Sequence, residues 1–273
     1  MLAEIDQRHI VTEELGLATG ANAFLARPDE PGPHPAIILL HERYGIVRHT
    51  RDLAIRLAVD GHVAVAPNLY FRAPDPGAVE RGEVRAVVSD DEVAADIGAA
   101  IDYLKQLDAA DTSHLAVWGA CASGRYPLVA SAARRELKAC VIFYGAAYDR
   151  DWFPDTVTDF VGRSSVPILA VYGELDHLNP REGIYRFRNA LESARRSYHI
   201  RIFRDARHAF LDDTMPNRYE RPLAENAWNL LMAFLARVRA GGYPADRVQW
   251  TFEADYHPDY DSSKLQPPSA SLA

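Results

Sequence analysis

Short apolar runs recur along the chain, separated by segments with helical spacing. Ala36–Leu40, Val63–Pro67, Leu115–Trp118, Ala139–Tyr144 and Ile168–Tyr172 are apolar almost throughout, and a further strand is expected over Tyr198–Phe203. A strand with one wet face alternates polar and apolar residues. Runs without alternation are buried on both faces, which points to a parallel sheet covered by helices. Two weaker candidates, His9–Glu14 and Ala21–Ala26, come first and predict an antiparallel edge. Between the strands lie helix signals. Ser89-Asp90-Asp91-Glu92 forms a capping box, and Val93, Ile97, Ile101 and Leu104 follow at near-helical spacing. Asn179-Pro180-Arg181-Glu182 predicts a second start, with Asn179 as cap and Pro180 in the first turn. A last helix, from about Leu223 to Arg239, stops at Gly241-Gly242. The pattern predicts one α/β domain over residues 1–240, a mostly parallel central sheet with helices on both faces.

Residues 241–273 differ in kind. They hold Pro244, Pro258, Pro267 and Pro268 and no helical period, yet also Trp250, Phe252, Tyr256 and Tyr260. A solvated tail has no use for four aromatic rings. The first twenty or so residues of this extension are expected to pack on a surface, of this chain or of a second copy in a homodimer. The Ser/Pro end is expected to fray.

With 273 residues, 48% hydrophobic and 25% charged, the chain can bury a core without disulfides or metal. Thirty Lys/Arg against 38 Asp/Glu give a net charge of −8, and the basic residues are scattered. Phosphate backbones demand clustered cations, so no nucleic-acid partner is expected. No apolar run approaches the ~18 residues of a membrane span, and the first residues show no apolar signal-peptide region. Two cysteines, Cys121 and Cys140, are too few for a disulfide framework. They fit a reducing compartment, and the expected location is cytoplasmic.

Chemistry concentrates in His114-Leu-Ala-Val-Trp-Gly119-Ala-Cys121-Ala-Ser123-Gly124, where an apolar strand runs into small-x-Cys-x-small and then a helix. A sharp strand-to-helix turn holds its central residue in strain with the side chain clear of the sheet. Small residues flank it because strand and helix nearly touch. Three readings compete: Cys121 as a buried small hydrophobe, Cys121 as a nucleophile, or Ser123 as the nucleophile with Cys121 and Arg125 at its flanks. Cys140 lies mid-strand and is assigned to the core. A thiol nucleophile needs a base, and the base an orienting group. Asp176 follows the strand Ile168–Tyr172, and His208 follows Tyr198–Phe203; both stand where open α/β sheets place their chemistry. Taken singly, Asp176 reads as a turn residue and His208 as a loop histidine, with Glu174 and His177 as adjacent competitors. Their order, nucleophile then acid then His, is that of α/β-hydrolases.

With these residues the chain resembles the dienelactone hydrolase family of the α/β-hydrolase fold over residues 8–240. The likeness rests on Gly119-x-Cys121, Asp176, His208-Ala-Phe210, His41-Glu42-Arg-Tyr-Gly45 and Tyr70-Phe71-Arg72. Arg218-Tyr219 and Ala227-Trp228 are also similar to the family. The resemblance implies a cofactor-free hydrolase of activated esters or enol lactones with a Cys121, His208, Asp176 triad. It implies that Glu42 interacts with the resting thiol, and that the backbone N–H groups of Ala122 and Arg43 form the oxyanion hole. Zinc is not expected, because His41-Glu42 has no second histidine four residues on. Tyr70 and Arg72 are expected to meet the substrate, with Arg72 anchoring an anionic group and Arg43, Arg125 or Arg207 sharing the charge. The chain departs from the family in having Ser123-Gly124 after the elbow, Pro127 inside the following helix, and Asp212 where an arginine is usual. A non-catalytic binding protein on the same fold, a thioesterase and an oxidation-sensing cysteine are the rival readings.

Overall fold

The structure, a computed structural model, describes residues 9–145 and 157–265. The Ser/Pro end of the extension, with Pro267 and Pro268, lies outside the described residues. Nine strands form one sheet in the order β1 (Ile10–Gly16), β2 (Asn22–Pro28), β4 (Val63–Pro67), β3 (His34–Leu40), β5 (Ala110–Ala120), β6 (Ala139–Phe143), β7 (Ile168–Gly173), β8 (Tyr198–Phe203), β9 (Trp250–Ala254). β1 and β2 pair antiparallel, β2 pairs antiparallel with β4, and every other pairing is parallel. This is the mostly parallel sheet with an antiparallel edge that the apolar runs predict.

The apolar strands still alternate, but between two dry faces. Ile38, Leu40, Val117 and Ile142 join one core with Val93, Ile97 and Ile101 of α3 (Asp90–Gln106), Leu128 of α4 (Tyr126–Ala133) and Phe187 of α6 (Arg181–Ser193). Ile37, Leu39, Trp118, Val141 and Phe143 join the other, against Leu53 and Leu57 of α1 (Arg48–Val59) and Trp228 and Leu231 of α7 (Arg221–Arg239). Ser89 caps α3 in the reciprocal arrangement with Glu92. Two shorter helices, α2 (Pro76–Glu80) and α5 (Val157–Arg163), complete the described set. Among the described residues no helix is long and apolar enough to cross a membrane.

Asn179 does not cap α6. Pro180 holds the cap position without a side-chain bond, and the Asn179 amide donates to Asp176 Oδ2 at 2.9 Å and to the Tyr144 carbonyl at 2.8 Å. A buried carboxylate is the stronger acceptor for that amide. The exposed first N–H of α6, on Arg181, is taken instead by the Tyr260 hydroxyl at 3.0 Å.

That contact comes from the extension, which places β9 beside β8 in the chain's own sheet. Phe252 packs edge-on to Tyr185 of α6 at 5.5 Å, while Trp250 is half exposed and donates its indole N–H to the Arg196 carbonyl. Glu174 is spent here, its carboxylate accepting from the backbone N–H groups of Asp205 and His257. Truncation after Gly242 should therefore uncover the β8 edge and lower the melting temperature by at least about 4 °C, at about 2–4 °C per kcal/mol for a chain of this size. An unchanged thermal transition would make the ninth strand dispensable.

Candidate active site

β5 ends at Ala120, and Cys121 takes φ = +52°. A non-glycine residue in that left-handed region costs about 1–3 kcal/mol and persists only when its neighbours over-determine it. Here Ser123 does so. Its buried hydroxyl accepts from Ala120 N–H at 3.1 Å and directs its proton toward the Ala120 and Leu40 carbonyls at 3.0 and 3.2 Å. Ser123 thus closes the turn and does not face the cleft. Gly119 is required by close approach: a Cβ there would lie 2.5 Å from the Ser123 carbonyl oxygen and 2.8 Å from the Pro127 ring. Pro127 carries no helical penalty, contrary to its position on paper. The turn Cys121–Ser123 is a separate 3-10 segment and α4 begins at Tyr126, so Pro127 falls in a first turn, where its missing N–H has no partner to lose.

The three residues singled out by order along the chain meet. His208 Nε2 lies 3.0 Å from Cys121 Sγ, and His208 Nδ1 lies 2.9 Å from Asp176 Oδ2. A carboxylate can only accept, so the Nδ1 proton points at Asp176 and Nε2 is turned to the sulfur. Asp176 is fully buried and also accepts from the backbone N–H of Leu178 and the Asn179 amide. Burial alone would raise this carboxyl above its ordinary value. The charge of His208 and these donors outweigh it and hold Asp176 below the usual carboxylate range. For His208, burial opposes the charged form, yet the Asp176 and Cys121 charges and hydrogen bonds hold its affinity for a proton well above the ordinary value.

The loops that supply these groups are locked together. Gly173 lets the loop after β7 touch the loop after β8, since a Cβ there would sit 2.3 Å from the Ala206 carbonyl oxygen. Leu175 N–H donates to that same oxygen at 2.8 Å.

Glu42 follows β3 and accepts from the Tyr144 hydroxyl at 2.9 Å. Burial pushes its carboxyl up, opposed by the nearby His49. His41 serves the backbone: Nδ1 donates to the Glu42 carbonyl at 2.7 Å, and Nε2 accepts from Leu69 N–H at 2.9 Å. Burial lowers it to about 4, so it stays neutral. Donor atoms of His49, Asp212 and Asp213 lie within 4.8 Å of one another. Asp212 Oδ1 is already engaged by the N–H and hydroxyl of Thr214, and the His49 ring sits between the carboxyl groups of Asp212 and Glu42.

Glu42, Tyr70, Cys121, Ala122, His208 and the Arg43 segment line one cleft of about 240 Å³, with His177, Leu178 and Met215 on its wall. Two larger hollows, of about 530 and 710 Å³, lie at the amino ends of the strands and contain none of these residues. Three expected anion contacts lie elsewhere. Arg72 makes a bidentate pair with Asp96 at 2.7 and 3.0 Å and stacks on Phe71; Arg125 pairs with Asp90 at 2.7 Å; Arg207 is exposed. Asp96 is buried beside Arg72, and Arg125 is itself buried beside Asp90, so each guanidinium is held by a carboxylate as an internal tie. Among the described residues, the arginines lining the cleft are Arg43, Arg85 and Arg218. Arg85 stands in the loop between α2 and α3, without helical or strand period, so no sequence signal marked it.

Cys140 is fully buried and burial pushes its thiol far up, whereas Cys121 is partly exposed beside an imidazole. Limiting iodoacetamide should label Cys121 and spare Cys140, as peptide mapping would read. Asp176→Asn removes the charge that most raises the proton affinity of His208. Labelling of Cys121 at neutral pH should then slow by about tenfold, one pH unit of lost stabilisation, and recover in alkali.

A model of the dienelactone hydrolase family matches residues 21–239. A protein of Escherichia coli O157:H7 named "Putative carboxymethylenebutenolidase" is 33% identical over 219 residues, 77% of this chain and 80% of its own. A Bradyrhizobium protein named "Probable 2-oxo-3-(5-oxofuran-2-ylidene)propanoate lactonase" is 31% identical over 219 residues, covering 78% and 88%. The crystal structure of a dienelactone hydrolase homologue from Klebsiella pneumoniae superposes with a TM-score of 0.76 at 30% identity, over 84% of this chain and 99% of that one. With the fold, the cleft and these likenesses in agreement, the chain belongs to the dienelactone hydrolase family and is an ester or lactone hydrolase of the α/β-hydrolase fold.

Proposed function

We propose that this enzyme cleaves enol lactones and activated esters through Cys121, with His208 carrying the proton and Asp176 orienting His208. The observation that carries the reading is the unbroken run Asp176–His208–Cys121, with contacts of 2.9 and 3.0 Å ending on a sulfur held at positive φ. The thiolate attacks the acyl carbon, forming a C–S bond as the carbonyl becomes an oxyanion. The N–H groups of Ala122 and Arg43, both at the cleft, are the donors proposed for that oxyanion. Collapse expels the leaving oxygen, which takes the His208 proton, and water then releases the acid by the reverse sequence.

The nucleophile limits the substrate. A thiolate, from a group whose free pKa is about 8.5, is a far better leaving group than a simple alkoxide. The tetrahedral adduct therefore goes forward only when the other leaving group is itself stabilised, as an enolate or phenolate is. An acyclic alkyl ester returns to the starting thiolate.

We further read the substrate as anionic. Arg43, Arg85 and Arg218 line the cleft of a chain whose net charge is −8, and the Bradyrhizobium relative is named for a lactone that carries a carboxylate. Arg218 Nε is buried without a hydrogen-bond partner, leaving it a donor to spend.

Cys121→Ala and His208→Ala should each lower kcat/KM on an aryl ester by at least about 10³-fold, and the double variant should lose no more than either alone, because the two act as one unit. Multiplicative losses would assign them separate roles. Arg218→Ala should raise KM for a carboxylated lactone about tenfold more than for a neutral aryl ester, while Arg72→Ala should not discriminate between them.

A further inference from the structure

His49 lies in the first turn of α1, 2% exposed, and neither ring nitrogen makes a hydrogen bond. Both nevertheless face carboxylates: Nδ1 is 3.3 Å from Asp212 Oδ1, and Nε2 is 3.8 Å from Glu42 Oε1. A neutral imidazole has one N–H and one lone pair. Either neutral tautomer would aim its lone pair at a buried carboxylate. With both carboxyl groups ionised, the doubly protonated ring suits both neighbours, and at 3.3 and 3.8 Å it suits them through charge.

The surroundings agree. Glu42 otherwise meets the Tyr144 hydroxyl and the charge of His208, and Asp212 receives the N–H and hydroxyl of Thr214. One turn further along α1, Asp52 is paired with Arg48 at 3.2 Å and faces Asp213. Asp213 has interactions of its own. Of these groups, His49 is the one whose ring stands between Glu42 and Asp212.

We propose that His49 is a positioning residue: its imidazolium bridges Glu42 and Asp212, keeping the Glu42 carboxylate ionised in the cleft and tying it to the loop that carries His208. Asp212 lies four residues beyond His208, so the bridge joins the segment after β3 to the segment after β8. Burial raises the Glu42 carboxyl and His49 opposes this, so loss of the imidazolium lets Glu42 take a proton at higher pH.

The protonation state is tested first, and independently of catalysis. Long-range ¹H–¹⁵N correlation spectra of the full chain with labelled histidine, assigned through connectivity within α1, should show both His49 nitrogens protonated at about pH 6–7. A neutral tautomer there overturns the proposal. The second test rests on the reading of Cys121 and Glu42 given above. In His49→Gln the acidic limb of kcat/KM on an aryl ester should move up by at least about one pH unit, a loss of tenfold or more at about pH 6 that is regained in alkali. In a Glu42→Gln background the same substitution should move the limb no further. A loss that is uniform with pH, or an unmoved limb, overturns the positioning role. Full activity in Cys121→Ala would instead overturn the proposed nucleophile, with the spectra still deciding the state of His49.

Discussion

The site depends on one strained residue. Cys121 projects its sulfur from the end of β5 only because its backbone is left-handed, and that conformation is imposed by contacts on all sides. Gly119 has no side chain to keep Ser123 away, Ser123 ties the turn back to Ala120 and Leu40, and the Pro127 ring fills the space beside Gly119. The Leu40 contact matters beyond the turn, because β3 ends there and the next residues are His41 and Glu42. The elbow and the Glu42 segment are thus fixed by the same hydroxyl.

Around the elbow the sheet gathers charges that burial by itself would neutralise. Asp176 keeps its charge because His208, Asn179 and a backbone N–H supply compensation from three directions. His208 holds a proton more tightly than an ordinary imidazole because Asp176 and the sulfur flank it, against the effect of burial. Glu42 has a weaker set of partners, a phenol and two imidazoles, with Asp212 working against it. Burial raises the Glu42 carboxyl and His49 is the largest influence opposing it, so the His49 side of the cleft bears on its charge.

The extension supports the same machinery from behind. Glu174, beside Asp176 in the chain, looks by sequence like a rival acid, but it bonds to the backbone of the β8 loop and of the residues after β9. Tyr260 takes the first N–H of α6. The loop bearing Asp176 is therefore packed between the Cys121 cleft and the added strand.

Much of this was legible in the chain. Apolar runs without alternation fixed the layered sheet, because a strand buried on both faces has no polar positions to spare. Gly119-x-Cys121, Asp176 and His208 stood out because an elbow and two strand ends are local features, each recorded within a few consecutive residues. The sequence could not place Arg72 and Arg125, whose charges fit a cleft equally well until Asp96 and Asp90 are seen beside them. Nor could it find Arg85 or the His49 bridge, or tell that Arg218, noted there only for its family likeness, lines the cleft. Those groupings join residues from separate loops and helices, and their meaning lies in distances of a few ångströms that only the tertiary structure decides.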